Sequence, residues 1–189
     1  MKTKEMMYVA LFAAIVAVLG ILPPIPIPFS PVPITAQTLG VMLAGAILGA
    51  RLGGMSLLLF VLLVAVGAPI LSGGRGGFGV ILGPSGGFIL SWPIGAFVIG
   101  FLVEKAWKSL KFWNTLVFNV IGGIILVYLI GVPYMAMMLD LPLIEATAIS
   151  SVYIPGDIVK AVVASVIAVQ IKKSYPLIQK HQQQKQLNV

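Results

Sequence analysis

Two opposite charges stand inside an apolar stretch near the end of this chain. They are Asp157 and Lys160, within residues 154–160, Ile-Pro-Gly-Asp-Ile-Val-Lys. The run that follows, Ala-Val-Val-Ala-Ser-Val-Ile-Ala-Val-Gln-Ile over 161–171, has the composition of a transmembrane helix. Ionisable groups within a membrane cost at least a few kcal/mol each, so they pair, face a cavity and mark a substrate path. A spacing of three places Asp157 and Lys160 on one helical face. Pro155 suits the first turn of a helix, which sets the pair one turn in from its mouth. The chemistry this offers is capture of a small polar or charged ligand within a helical bundle. The plainer alternative is an ion pair that only fixes helix packing.

The elements that must hold such a pair follow from composition. The chain has 189 residues, 59% of them hydrophobic and 9% charged, with a mean hydropathy of +1.09. Globular proteins carry roughly 25% charged residues, so the solvent expected here is lipid. Apolar runs occupy 6–22, 34–50, 53–68, 86–103, 112–139 and 152–171. Several lie near the lower length limit for crossing a core about 30 Å thick. The expectation is an all-α membrane protein, a six-helix bundle over residues 1–175 with long outer loops covering a ligand pocket. Residues 176–189 form a polar tail. The first run follows Lys2 and Lys4 but lacks a small-x-small cleavage site, so it is read as a span and not as a signal peptide.

Orientation follows from the basic residues. Lys2, Lys4, Arg51, Lys105, Lys108, Lys111, Lys172, Lys173, Lys180 and Lys185 fall on one side of the six spans, against Arg75 in an outer loop. Cytoplasmic loops carry an excess of Lys and Arg, which puts both termini in the cytoplasm. Trp107 and Trp113 flank the basic inner loop, as interfacial aromatics do. The net charge of +7 is therefore a topology signal, and nucleic acid is not an expected partner.

Two outer connections are unusual. Residues 22–34, Leu-Pro-Pro-Ile-Pro-Ile-Pro-Phe-Ser-Pro-Val-Pro-Ile, form an uncharged proline-rich loop, extended and stiff, that should fold onto the top of the bundle. It leads into Thr35, Gln37 and Thr38, a polar cluster at the outer end of the second span. Residues 72–87 carry many glycines, among them Gly73 and Gly74, beside Arg75 and Ser85. Non-helical backbone at membrane depth is tolerated where it lines a cavity, so this loop reads as a lid or wall. It has no Gly-Lys-Ser/Thr opening a helix and is not a nucleotide loop. Active transport would thus draw energy from a partner or an ion gradient.

Small residues four apart let helices approach closely in lipid. Ala10 and Ala14, extended by Ala13 and Ala17, form one such face, and Gly45, Gly49 and Gly53 form another. Each serves either packing within the bundle or docking of another membrane protein. Asn119 lies about 10 Å into the fifth span and is expected to bond a neighbouring helix. There are no cysteines, and the one histidine, His181, lies in the polar tail. Thiolate chemistry is excluded, and a His-based metal site or triad has no support; no metal or cofactor is expected.

Residues 31–38 (Pro-Val-Pro-Ile-Thr-Ala-Gln-Thr), 83–87 (Gly-Pro-Ser-Gly-Gly) and 154–160 together resemble the BioY family. These are biotin-binding S components of energy-coupling factor (ECF) transporters, and the resemblance covers nearly the whole chain. It implies a six-helix protein of the bacterial cell membrane, not itself an enzyme, that captures biotin from outside. It also implies work with a transmembrane coupling protein and two ABC ATPases, the coupling protein docking on Ala10 and Ala14. Biotin's carboxylate needs a cation. Lys160 is favoured because a helix fixes it, with Arg75 as a lid contact. Asp157 would accept from ureido N–H groups or orient Lys160. Thr35, Gln37, Ser85 and the backbone of Gly73 and Gly74 would supply the other hydrogen bonds. Three alternatives stay open: an S component for another small carboxylate vitamin, a structural or pore-forming membrane protein, and an enzyme with Asp157 and Lys160 as acid and base.

Overall fold

Apolar side chains all around a helix, with no polar face, are what lipid permits and water does not. Helix α1 (Thr3–Ile21) shows this pattern. Val9, Phe12, Ala13, Val16 and Gly20 are buried against the bundle, while Leu11 and Val18 remain exposed on its far side. The computed structural model describes residues 3–174. The expected tail over 176–189, with His181, Lys180 and Lys185, lies outside them, as does Lys2.

After α1 the prolines prevent helix, and the chain folds as an antiparallel hairpin of β1 (Ile25–Ile27) and β2 (Ser30–Ile34). Ile25 pairs with Ile34 and Ile27 with Ser30. Next come α2 (Gln37–Leu48), α3 (Ala50–Ala65) and a single helical turn, α4 (Phe78–Ile81). Helix α5 (Gly86–Lys105) is followed by α6 (Phe112–Val120), a π-helical turn at Ile121–Ile125, and α7 (Leu126–Met138). The chain continues through α8 (Leu143–Ser151) to α9 (Ile154–Ser174).

Among the described residues four helical segments are long and apolar enough to cross a membrane: Thr3–Ile21, Gly86–Lys105, Phe112–Met138 and Ile154–Ser174. Gln37–Leu48 and Ala50–Ala65 are apolar but shorter. At 1.5 Å per residue α2 rises only about 18 Å, because part of the apolar run at 34–50 is used by β2 and by a sharp corner. That corner is Gly49, whose φ of +84° suits glycine. The Ala50 N–H that it frees donates to Glu104 Oε1 of α5 at 2.8 Å. A Cβ on Gly100 would lie 2.2 Å from the Gly49 carbonyl carbon and the Ala50 nitrogen, so α5 seats directly on the corner. Gly45 meets Ala96 and Ile99 of α5, and Gly53 meets Ala44. The Gly45, Gly49 and Gly53 series thus packs the bundle internally.

Asn119 donates to Ser165 Oγ at 3.0 Å, tying α6 to α9 as expected from its position. The π turn beside it brings Gly123 against Met42 and Gly122 against Ile99. Lys172 of α9 donates to the carbonyl oxygens of Trp107 and Leu110, so the end of α9 and the 105–111 connection share one end of the bundle. The N-termini of α2, α5 and α9 gather at the opposite end, beneath the hairpin.

Candidate functional site

Beneath the hairpin lies a cavity with about 610 Å³ of empty space, counting its open mouth. Its walls come from sequence-distant elements. Val32, Pro33 and Ile34 of β2 form the roof, and Leu71 and Arg75 come from the glycine-rich loop. Thr35, Gln37 and Thr38 come from the start of α2, and Ser85, Phe88, Ile89 and Trp92 from the start of α5. Val127, Tyr128, Tyr153, Asp157 and Lys160 complete the enclosure.

Asp157 and Lys160 meet as their spacing requires. Lys160 Nζ lies 2.8 Å from Asp157 Oδ1, with side chains 15% and 6% exposed. Two residues not proposed as ligand contacts complete the cluster. Thr38 Oγ1 accepts from Lys160 at 2.9 Å and donates to Asp157 Oδ1 at 3.1 Å, and Tyr128 donates to Asp157 Oδ2 at 2.7 Å. The carboxylate therefore has a partner on each oxygen, and its charge is matched by the ammonium. Buried ions are tolerated under these conditions and few others. Two of Lys160's three donors are engaged, which leaves one for a ligand.

Tyr153 fastens the roof. Its hydroxyl donates to Val32 O at 3.0 Å and bonds Ser30 Oγ, while Ser30 Oγ accepts from Val32 N–H. Phe88 stands edge-on to both Tyr128 and Tyr153, lining the apolar middle of the cavity. Nothing local in the sequence marked Tyr128 or Tyr153. Each is an aromatic in an apolar run, and only packing brings it to α9 or to the hairpin.

Gln37 reaches the cavity wall, but its amide is occupied. It donates to Val16 O and Ile70 O at 3.2 and 3.1 Å and accepts from Ser72 N–H at 3.1 Å. It is a clamp between α1, α2 and the glycine loop. Gly73 and Gly74 stand apart from this cavity. Both are exposed with φ of +78° and +69°, and they make the turn that pairs Leu71 with Arg75. Their glycine character serves that turn, and they border a separate groove beside Pro23 and Pro24. Thr35, Ser85 and Arg75 do line the cavity. Gly86 and Gly87 pack helices instead: a Cβ on Gly86 would sit 1.7 Å from Ile81 O, and one on Gly87 2.3 Å from Tyr134 Cβ.

On α1, Ala10 and Ala14 are exposed and Ala17 is half-buried, whereas Ala13 turns inward into the core. Ala13 is one residue off the Ala10–Ala14 row, about 100° round the helix, and the bundle already covers it.

Long apolar helices around a mostly apolar cavity, with its ionic groups grouped on one wall and one loop, define a membrane protein built to enclose a small amphipathic ligand. Residues 1–177 match the BioY family, and the chain belongs to it. The biotin transporter BioY of Rhizobium etli is 44% identical over 183 residues, which cover 94% of this chain and 98% of that protein. The probable biotin transporter BioY of Bacillus subtilis is 44% identical over 179 residues, covering 94% and 95%. A crystal structure of the S-component for biotin from an ECF-type ABC transporter superposes with a TM-score of 0.87. It is 37% identical, with 91% of this chain and 92% of that one covered.

Proposed function

We propose that this chain is the biotin-capture subunit of an ECF-type transporter. It holds biotin without changing it chemically and passes it to the cell interior through a complex with a transmembrane coupling protein and two ABC ATPases. The bundle spans the cell membrane six times, α2 and α3 serving as short spans, with both termini in the cytoplasm. Lys4, Arg51, Lys105, Lys108, Lys111, Lys172 and Lys173 support that orientation, since they lie towards the end opposite the cavity. The cavity then opens outward. Ala10 and Ala14 form the exposed face for the coupling protein.

One observation carries the reading: a mostly apolar cavity, about 610 Å³ of empty space with its open mouth included, whose ionic groups are confined to Arg75, Asp157 and Lys160. Biotin has a matching make-up, with an apolar thiophane ring between a ureido group and a carboxylate tail. Thr35, Thr38 and Ser85 lie among the walls that would supply further hydrogen bonds. Nanomolar binding needs about −12 kcal/mol. Over roughly 16 heavy atoms that is about −0.75 kcal/mol per atom, within the range of small ligands.

The test is titration of the detergent-purified chain with biotin, following tryptophan fluorescence, since Trp92 lines the cavity. Saturable nanomolar binding is expected. A well-folded chain that ignores biotin but binds another small carboxylate would assign it to a different vitamin.

A further inference from the structure

On the outside of the bundle, α3 and α5 leave a groove that runs from the middle of the molecule to the end opposite the cavity. Gly54 and Met55 line it on α3, and Pro93 and Ile94 on α5, with about 690 Å³ of empty space counting its open side. Leu58 and Phe97 border it, each about half exposed, and Arg51 stands at its head. Arg51 and Leu58 are seven residues apart, about 10 Å of helical rise. Among the described residues the Arg51 guanidinium has no ion pair or hydrogen bond. The carboxylate at the same level, Glu104, accepts from the Ala50 N–H at 2.8 Å. Lys105 adds a second cation there. It follows Phe97 and Phe101 at spacings of four on one stripe of α5, and its Nζ lies 4.9 Å from the centre of the Phe101 ring.

We infer that this groove binds an acyl chain of an anionic phospholipid, whose phosphate is held by Arg51 with Lys105 beside it. The lining divides as such a lipid does, with a cation at the head and apolar groups beyond it. In the proposed orientation that end faces the cytoplasm, where basic residues follow from topology alone. What sets Arg51 apart is the apolar channel that begins beside it. Basic sites between membrane helices on that side suit phosphate headgroups, and a guanidinium bonds two phosphate oxygens at once. A protein helix suits the groove less well, because close helix contact in lipid needs small residues. Gly54 is the one small residue in the lining, and it is already used against α5. A Cβ added there would lie 3.3 Å from Phe97 Cβ and 3.4 Å from Pro93 O. The exposed positions around it, Leu58, Ile94 and Phe97, are bulky, with space between them that a flexible chain fills. Charge also opposes a second copy of this chain. All copies share one orientation in the membrane, so a twofold contact here would set each Arg51 and Lys105 at the depth of its counterpart. A bound lipid instead ties the first turn of α3 to the last turn of α5.

The test is native mass spectrometry of the detergent-purified full chain, titrated with phosphatidylglycerol or with phosphatidylcholine of the same acyl chains. Wild type, Arg51→Gln, Arg51→Lys, Leu58→Trp and Lys4→Gln are compared, with folding checked by circular dichroism and melting. Lys4, exposed on α1 at the same end and outside the groove, controls for charge alone. Wild type should bind one phosphatidylglycerol at least about tenfold more tightly than phosphatidylcholine, the scale of a charge-assisted contact. Arg51→Gln should bring the two lipids within about threefold of each other, because that contact is gone. Arg51→Lys should keep part of the preference, and Lys4→Gln nearly all of it. Leu58→Trp, which fills the apolar part of the groove, should weaken both lipids although the cations remain. Equal binding of the two lipids by wild type would overturn the site. An equal loss of preference in Lys4→Gln and Arg51→Gln would do the same, leaving only diffuse attraction. A wild-type dimer that Leu58→Trp dissociates, with lipid binding unchanged, would overturn it by giving the groove to a second copy.

Discussion

Replacing Lys160 by methionine removes the ammonium that compensates Asp157 while keeping most of the aliphatic volume. The carboxylate that remains belongs to a residue only 4% exposed, with the hydroxyls of Thr38 and Tyr128 as its partners. At 2.8 Å and an effective dielectric constant near 20, the gross attraction lost is about 6 kcal/mol. Removal of one member of a buried pair costs about 3–5 kcal/mol net. At about 2–4 °C per kcal/mol for a chain of this size, the midpoint of thermal unfolding in detergent, without biotin, should fall by roughly 6–20 °C. Asp157→Asn should also destabilise, by leaving the ammonium unmatched. The double variant Asp157→Asn/Lys160→Met removes both charges, so its loss should be smaller than the sum of the single losses by at least about 1.5 kcal/mol. Fluorescence-monitored melting of the four proteins measures this directly. Losses that add to within about 0.5 kcal/mol would refute the reasoning, because Lys160 would then be an independent cation and the neutral-pair account of the cavity would fail.

Tyr153→Phe removes the hydroxyl that joins the hairpin to the base of α9 through Val32 O and Ser30 Oγ. At about 0.5–1.5 kcal/mol for each of the two hydrogen bonds, biotin should dissociate faster by roughly 5- to 150-fold, as stopped-flow displacement would show; an unchanged rate would mean that the hairpin does not gate the cavity. Gly100→Ala should destabilise the fold by about 1–3 kcal/mol, since the added carbon meets backbone of the Gly49–Ala50 corner at 2.2 Å. Gly79→Ala, with nothing within 4 Å of the added carbon, should leave the melting point unchanged or slightly raised.

Local physics made much of this protein readable from its residues. Lipid solvent removes the need for a polar face, so long helices appear as apolar runs. The runs at 86–103 and 112–139 match α5 and the α6–α7 segment to within two residues. The proline-rich segment had to be extended because proline lacks a donor and fixes φ, and a hairpin is one way to be extended. The run at 34–50 was less legible, because hydropathy does not distinguish a buried strand and a glycine corner from helix. Among the glycines, composition alone could not separate those that turn the chain, such as Gly73 and Gly74, from those that let helices touch, such as Gly86 and Gly100.

The sequence by itself determined that an acid and a base share one face of an apolar helix, since a separation of three residues fixes that geometry whatever surrounds it. Which groups complete the pair was decided by tertiary structure. Thr38 reaches Asp157 across 119 residues, and Tyr128 across 29. The same holds for Gln37, whose polar amide suggested ligand contact until packing placed three backbone groups around it. The hydrogen bonds that complete the pair depend on distances of about 3 Å between helices remote in the chain. A linear pattern carries no record of such distances, because they arise only when the helices dock.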